Sequence, residues 1–224
     1  RDAGAQRAVI STEDASVESL LAKVRASESI VGVNLASTVS CDAPHPFDEV
    51  PASHAFAVSA PDQKRYRVVA YDCGAKKSIL HNLVRVGCDL TVVPWDTPAA
   101  VEGTYAQVEK LLGAVPVFGI CLGHQMISKA CGAEIEKLKF GHRGGNQPVM
   151  NLRTGRVEIT AQNHGFGLVF PSLGALVPEL SGGFTEHEAD LRFWARAGVA
   201  PVVRNERFGR IQLTHVNLND GTAE

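Results

Sequence analysis

The sequence lacks the features that would mark a membrane, secreted or nucleic-acid-binding protein. No apolar run approaches the ~20 residues that a helix needs to cross a bilayer, and the first residues contain no apolar core like that of a signal peptide. The formal net charge of −2 gives no electrostatic reason to expect nucleic acid or an anionic membrane as a partner. We therefore expect a globular protein, since 45% of its 224 residues are hydrophobic.

Paired cysteines are also lacking. The chain has five cysteines, an odd number, and no CxxC spacing among Cys41, Cys73, Cys88, Cys121 and Cys131. This pattern favours reduced thiols over a disulfide framework or a zinc site. We expect a cytoplasmic protein without a metal site of its own.

The N-terminal part is predicted to be a small mixed unit. Residues 8–10 form a candidate strand, and the helical spacing of Val17, Leu20, Leu21 and Val24 places those side chains on one helix face. Four prolines then interrupt residues 41–64, which indicates a linker or an extended segment. We assign residues 1–60 to this unit and its linker.

From residue 66 onwards, short apolar segments alternate with helical patterns. The predicted order is a strand at 67–71, a helix at 78–86, a strand at 90–93, a helix at 104–112 and a strand at 115–120. This alternation predicts an α/β fold with parallel βαβ units. Beyond residue 145 the pattern becomes more β-like, with predicted strands at 157–160 and 213–216. We assign residues 65–224 to this second domain.

The sequence Gly119-Ile-Cys121-Leu-Gly123 lies where the last of these strands meets a helical pattern. It has the form of a nucleophile elbow, G-x-nucleophile-x-G, with cysteine in place of serine. Glycines suit this sharp turn because a side chain there would crowd the backbone. The helix N-terminus beside the sulfur favours a thiolate, which can attack an amide and form a thioester.

A lone cysteine is more often a buried structural thiol than a nucleophile. The two glycines at a strand–helix junction reverse that expectation for Cys121. The other four cysteines lack such a context, and we interpret them as structural.

Several motifs resemble one known family. Residues 119–125 (GICLGHQ) are similar to the nucleophile motif of class I, triad-type glutamine amidotransferases. Four more segments, in the expected order, resemble the small subunit of carbamoyl phosphate synthetase. They lie at 70–77, 139–148, 160–166 and 215–221. Residues 1–40 resemble the later part of that family's N-terminal domain. The resemblance implies a class I amidotransferase domain, with a mostly parallel sheet, after part of a smaller domain.

The resemblance also implies roles for individual residues. Cys121 would be the nucleophile, and the backbone amide of Leu122 would donate to the oxyanion. Gln125 would help to hold glutamine, whose α-amino and α-carboxylate end would contact Asn163, Gly165 and Phe166. We interpret His124 and His164 as structural.

The implied reaction is glutamine hydrolysis through a cysteinyl thioester. Ammonia would pass to a large synthetase subunit for carbamoyl phosphate synthesis, which serves arginine and pyrimidine biosynthesis. ATP and metal would belong to that partner, so we expect no cofactor in this chain.

The sequence departs from the family pattern in three places. It contains neither the His-Pro-Glu segment that supplies the general base nor the Gly-Pro-Gly loop that helps to form the oxyanion hole. The His187-Glu188 pair does not replace the base, because it lies in a polar run that is typical of a solvated turn. Residues 171–210 have the character of an insertion, and their aromatic side chains indicate that it packs against the fold. We expect these 224 residues alone to be unable to turn over glutamine.

Three alternatives stay open. Another class I amidotransferase subunit is the nearest, although the segment at 1–40 argues against it. A non-catalytic scaffold subunit is favoured if the base and loop are truly absent. A cysteine peptidase is the third, but the segment at 163–166 suits a free amino acid better.

Overall fold

The computed structural model describes residues 7–28, 33–49, 66–97 and 104–224, with the side chains of 104–107 left out. The chain divides into two compact units, Ser27–Thr104 and a second made of Arg1–Ala26 with Tyr105–Glu224. Most of the predicted linker at 41–64 and the junction near residue 100 lie outside the described residues.

The described helices are α1 (Val17–Ala26), α2 (Ala36–Val39), α3 (Lys77–Arg85), α4 (Thr104–Leu111), α5 (Leu122–Ala130) and α6 (Arg192–Ala197). The described strands are β1 (His45–Phe47), β2 (Tyr66–Asp72), β3 (Cys88–Pro94), β4 (Glu134–Asn151), β5 (Arg156–Val169), β6 (Ala175–Leu176), β7 (Val202–Asn205), β8 (Gly209–Gln212) and β9 (His215–Asn217). Within these ranges, no helix has the length and apolar character that a membrane crossing needs.

The unit at Ser27–Thr104 contains the predicted βαβ motif. Strands β2 and β3 pair in parallel across α3, and β1 adds to β3 in the antiparallel direction. Leu80 of α3 packs with Leu90 and Val92 of β3 in a small core. The apolar runs therefore predicted both strands and the helix between them correctly, to within a few residues.

The other unit is built on a long antiparallel hairpin. Strands β4 and β5 pair along most of their length, and β9 adds to β4. The register shifts between Lys137 and His142, and again between Gly144 and Gln147. Glycines with positive φ lie at these shifts, including Gly141 with φ 69°, so the glycine-rich stretch of β4 forms bulges rather than a regular ladder. The predicted strands at 157–160 and 213–216 fall in β5 and partly in β9.

Helix α1 is confirmed, but the candidate strand at 8–10 is wrong. Residues 7–11 have no regular structure, and Ile10 is 96% exposed. Three apolar residues are a weak signal, because a strand needs a neighbour for its backbone groups and no described strand pairs here.

The predicted strand at 115–120 is also wrong. Val115 makes one isolated bridge to Leu112, and residues 116–120 belong to none of the three described sheets. The α/β class holds, but parallel pairing between described strands is confined to β2 and β3. An apolar run predicts that a strand is possible, whereas a ladder forms only where a partner supplies hydrogen bonds.

The predicted insertion at 171–210 is well packed. Trp194 is fully buried, and its ring lies edge-on to Phe184 and Phe193 at centroid distances of 5.4 and 5.2 Å. Strands β6, β7 and β8 form a small antiparallel sheet beside these rings. The expectation that this apolar segment packs against the fold is confirmed by its place in the largest described core.

Candidate active site

The backbone at Cys121 is strained. With φ 55° and ψ −111°, Cys121 is the one non-glycine residue with positive φ in the described part of the chain. It is the N-cap of α5, and its carbonyl accepts a hydrogen bond from the amide of Gln125 at 3.1 Å. A side chain held in such a region costs about 1–3 kcal/mol, and strain of this kind clusters at functional sites. The sharp turn predicted from the elbow motif is present.

The two flanking glycines differ in what they do. A Cβ on Gly119 would lie 2.4 Å from the carbonyl carbon of Gly123 and 2.5 Å from its oxygen. A Cβ on Gly123 would meet nothing within 4 Å. Crowding therefore favours glycine at position 119, where the chain approaches the first turn of α5, and does not explain the glycine at position 123.

The elbow faces a segment of β5. The Cys121 thiol is exposed, and its Sγ lies 3.8 Å from the carbonyl oxygen of Asn163, to which it can donate. One turn further along α5, Gln125 Nε2 donates to the carbonyl oxygen of Phe166 at 3.2 Å. The structure thus brings together the predicted nucleophile and three of the residues predicted to hold glutamine.

The other two predicted residues lie at the same place. Leu122 is the first residue of α5, where the helix itself provides no acceptor for the backbone amide. Gly165 lies between Asn163 and Phe166, and a Cβ on the facing Gly141 would come within 3.0 Å of its Cα. A side chain at position 141 would therefore displace the segment that faces the sulfur. The roles predicted for all six residues remain predictions.

Three histidines were interpreted as structural or as no substitute for the base. Burial lowers the pKa of His124, which leaves that ring neutral near pH 7. His187 Nε2 donates to the Gly174 carbonyl at 2.8 Å, and its ring lies edge-on to Phe170. Among the described residues, Sγ of Cys121 hydrogen-bonds to the Asn163 carbonyl oxygen and not to a histidine. Neither the His124 ring nor the His187 ring is therefore a base for this thiol.

His164 belongs to a polar cluster that the sequence did not predict. Its Nε2 lies 3.1 Å from His142 Nδ1, which is also 2.9 Å from Glu224 Oε1. On its other side, His142 Nε2 donates to Asp220 at 2.8 Å. His142 and His164 face each other across β4 and β5, and both acids follow β9. The signal was present in two motifs, GHRGG and QNHGF, but strand pairing was needed to join them.

The cluster perturbs its titratable groups. A hydrogen bond to Glu224 is the main cause of the raised pKa of His164, and it outweighs burial. Burial would raise the pKa of Asp220, but hydrogen bonds from His142 and Thr222 outweigh it, and the pKa is lowered. Asp220 is therefore an ionised acceptor near neutral pH.

Residues 97–177 match the sequence model of the family "Glutamine amidotransferase class-I". The class of domain that the elbow defines is thus the class I glutamine amidotransferases. Over all of its length, the chain is 40% identical to the carbamoyl phosphate synthase small chain of Syntrophotalea carbinolica, of which it covers 56%. It is 36% identical to the chloroplastic small chain of Arabidopsis thaliana, over 99% of this chain and 49% of that protein.

A third relative is the small chain of Neisseria meningitidis serogroup A, which is 40% identical over 78% of this chain and 52% of its own length. The chain belongs to the carbamoyl phosphate synthase small-chain family, as its motifs predicted. It spans about half the length of these curated relatives.

Proposed function

We propose that Cys121 of this chain is the nucleophile of a glutaminase whose general base comes from outside these 224 residues, and that the ammonia passes to a large synthetase subunit that forms carbamoyl phosphate. The strained backbone at Cys121 is the observation that carries this proposal. It presents an exposed thiol at the start of α5 and opposite the carbonyl oxygen of Asn163. Membership of the small-chain family supports the same substrate and partner.

The proposed reaction has two balanced steps. Sγ bonds to the side-chain carbonyl carbon of glutamine, the carbon–nitrogen bond breaks, and the amide nitrogen leaves as ammonia with the thiol proton. Water then attacks the thioester, which releases glutamate and restores the thiol. In both steps negative charge develops on the carbonyl oxygen, to which the amide of Leu122 would donate a hydrogen bond.

The glutamine would lie between α5 and β5. Gln125 already donates to the carbonyl oxygen of Phe166, so the two elements keep a fixed spacing beside the sulfur. Asn163, Gly165 and Phe166 would bind the α-amino and α-carboxylate groups. This placement aims the side-chain amide at Sγ, which lowers the entropy lost on reaching the transition state.

The partner would carry the rest of the chemistry. In this proposal ATP and its metal bind to the large subunit, and the present chain needs no cofactor for hydrolysis. All five cysteines are free, which fits a reducing compartment and supports a cytoplasmic location.

A scaffold subunit is the second candidate. It is favoured by the hydrogen bonding of Sγ, because the described residues offer it a carbonyl oxygen and no base. In that case the chain would bind the large subunit without hydrolysing glutamine.

The test combines labelling with reconstitution. A diazoketone analogue of glutamine should alkylate Cys121 once per chain, and excess glutamine should protect it. With the large subunit, Cys121→Ser should abolish glutamine-dependent carbamoyl phosphate synthesis and leave synthesis from ammonium salts near the wild-type rate. Cys131→Ser is the matched control, because that half-buried thiol is the C-cap of the same helix.

Three results would contradict the proposal. Labelling at Cys131 instead of Cys121 would remove the nucleophile assignment. Binding of the large subunit without protectable labelling would favour the scaffold. Equal loss of both activities in Cys121→Ser would make that residue structural.

A further inference from the structure

The cluster at His142 contains more acceptors than donors. Asp220 and the carbonyl oxygen of Phe166 can only accept, so His142 Nε2 and His164 Nδ1 are assigned as the N–H positions, at 2.8 and 2.9 Å. In neutral rings the opposite nitrogens, His142 Nδ1 and His164 Nε2, then carry no hydrogen. These two nitrogens and Glu224 Oε1 point at one another.

Neighbouring amides reduce this deficit by one donor but do not remove it. Asn217 Nδ2 can donate to His142 Nδ1 at 3.3 Å. Gln162 Oε1, a further acceptor, lies 3.2 Å from His164 Nε2. The amide nitrogen of Gln162 donates instead to Thr160 Oγ1 at 3.0 Å. Lone pairs that converge in a half-buried site require a cation, which is either a shared proton or a metal ion.

The distances fit a metal ion. The three atoms lie 2.9, 3.1 and 3.6 Å apart, and a tetrahedral ion with bonds of about 2.0–2.1 Å spaces its ligands by about 3.3 Å. Both histidines also hold their outer N–H on an acceptor, a carboxylate for His142 and a backbone carbonyl for His164. This outer arrangement is the one that orients metal-binding histidines in proteins.

We propose that His142 Nδ1, His164 Nε2 and Glu224 Oε1 bind one divalent transition-metal ion of the zinc type. Two imidazoles with one carboxylate favour such an ion over magnesium or calcium, which prefer oxygen ligands. Gln162 or water would fill the fourth position. The proposal revises the expectation of no metal site and stands independently of the glutaminase assignment.

Such an ion would fasten three segments together. His142 lies on β4, His164 on β5, and Glu224 follows β9, held by hydrogen bonding of its amide to the His215 carbonyl at 3.1 Å. The same Phe166 oxygen that accepts from His164 also accepts from Gln125 of α5. The ion would therefore stiffen the segment of β5 that faces Cys121.

Metal titration of the full chain tests the proposal. After chelator treatment, Zn²⁺ should bind with a stoichiometry of one by competition with a chromophoric chelator, and it should raise the thermal midpoint. Co²⁺ in its place should give the visible absorption of a tetrahedral site. It should lack the near-ultraviolet charge-transfer band of cobalt–thiolate bonds, which separates this site from the five free cysteines.

The variants are chosen to preserve the fold. Glu224→Gln keeps the shape of a ligand and should weaken binding by more than about 100-fold, whereas Asp220→Asn removes the charge of the outer carboxylate and should weaken it by about 10–100-fold. Glu158→Gln, an exposed carboxylate on β5, is the matched control and should bind as the wild type.

Three outcomes would overturn the proposal. The first is no zinc binding by the wild-type chain at millimolar metal, which would leave a shared proton as the occupant. The second is unchanged affinity in Glu224→Gln. The third is a thiolate charge-transfer band that carries all of the bound cobalt.

Discussion

The elbow at 115–125 and the insertion at 171–210 are both apolar, but the chain buries them very differently. Phe118 is 84% exposed and Ile120 is 49% exposed, although both precede the candidate nucleophile. In the insertion, Trp194 and Val203 have no measurable exposure. The segment that carries the family motif is thus poorly covered, whereas the segment outside the family pattern is part of the largest core.

The difference shows that a strained turn and a packed core are specified in different ways. The elbow depends on one close approach, between Gly119 and the first turn of α5. The insertion depends on several side chains at once, because the rings of Phe184, Phe193 and Trp194 pack edge-on against one another. Local geometry at a nucleophile can therefore form although residues 116–120 belong to none of the described sheets.

The largest expected effect is the loss of stability when a buried ring in the insertion is truncated, compared with an exposed ring in the elbow segment. Trp194→Ala should lower the free energy of unfolding by about 3–5 kcal/mol, because it leaves a large cavity among Phe184 and Phe193. Phe118→Ala, a similar truncation in the elbow segment, should change it by less than about 0.5 kcal/mol. Urea denaturation of both variants measures the difference. Equal losses would mean that Phe118 is covered in solution and that the comparison fails.

A second prediction concerns the connection between the insertion and the elbow helix. Asn205 is buried, and its Nδ2 donates to the carbonyls of Cys131 and Leu173 at 2.8 and 2.9 Å. Asn205→Ala should cost about 1–3 kcal/mol, because it leaves buried polar groups unsatisfied. Amide exchange near the end of α5 should also become faster.

The control for that prediction is Asn219→Ala, since Asn219 is an exposed amide outside the insertion. It should unfold at nearly the wild-type urea concentration. If Asn205→Ala behaved in the same way, the hydrogen bonds from Asn205 to α5 and the insertion would contribute nothing measurable.

How far the sequence predicted the structure depends on the range of the interactions involved. The turn at Cys121 was predictable, because two glycines around a cysteine at the start of a helical pattern are a local signal. The lack of strand pairing at residues 116–120 in the described sheets was not predictable, since pairing depends on a partner distant in sequence. The cluster of His142, His164 and Glu224 was missed for the same reason, because strand pairing brings its members together.

A third prediction separates the two glycines of the elbow. Gly119→Ala should destabilise the turn by about 1–3 kcal/mol, because its Cβ would overlap the backbone of Gly123. It should also change the alkylation rate of Cys121 by iodoacetamide. Gly123→Ala should have neither effect, because its Cβ would meet nothing within 4 Å. Equal behaviour of the two variants would remove the close approach as the cause of the turn.

The smallest expected effect concerns the hydrogen bond that joins α5 to β5. Gln125→Ala removes the donor to the Phe166 carbonyl at 3.2 Å. The cost in unfolding free energy should stay below about 1 kcal/mol, because the site is exposed and Phe166 keeps its bond from His164 Nδ1 at 2.9 Å. The local effect should be clearer than the global one, since amide exchange at residues 163–166 should become faster at an unchanged urea midpoint.

Lys129→Ala is the matched control for Gln125→Ala, because Lys129 is exposed on the same helix. It should leave exchange at residues 163–166 unchanged. A loss of more than about 2 kcal/mol in Gln125→Ala would exceed what one exposed hydrogen bond contributes. That result would mean that more contacts than this one hold the elbow to β5. It would also mean that α5 is packed more firmly than the exposure of Phe118 indicates.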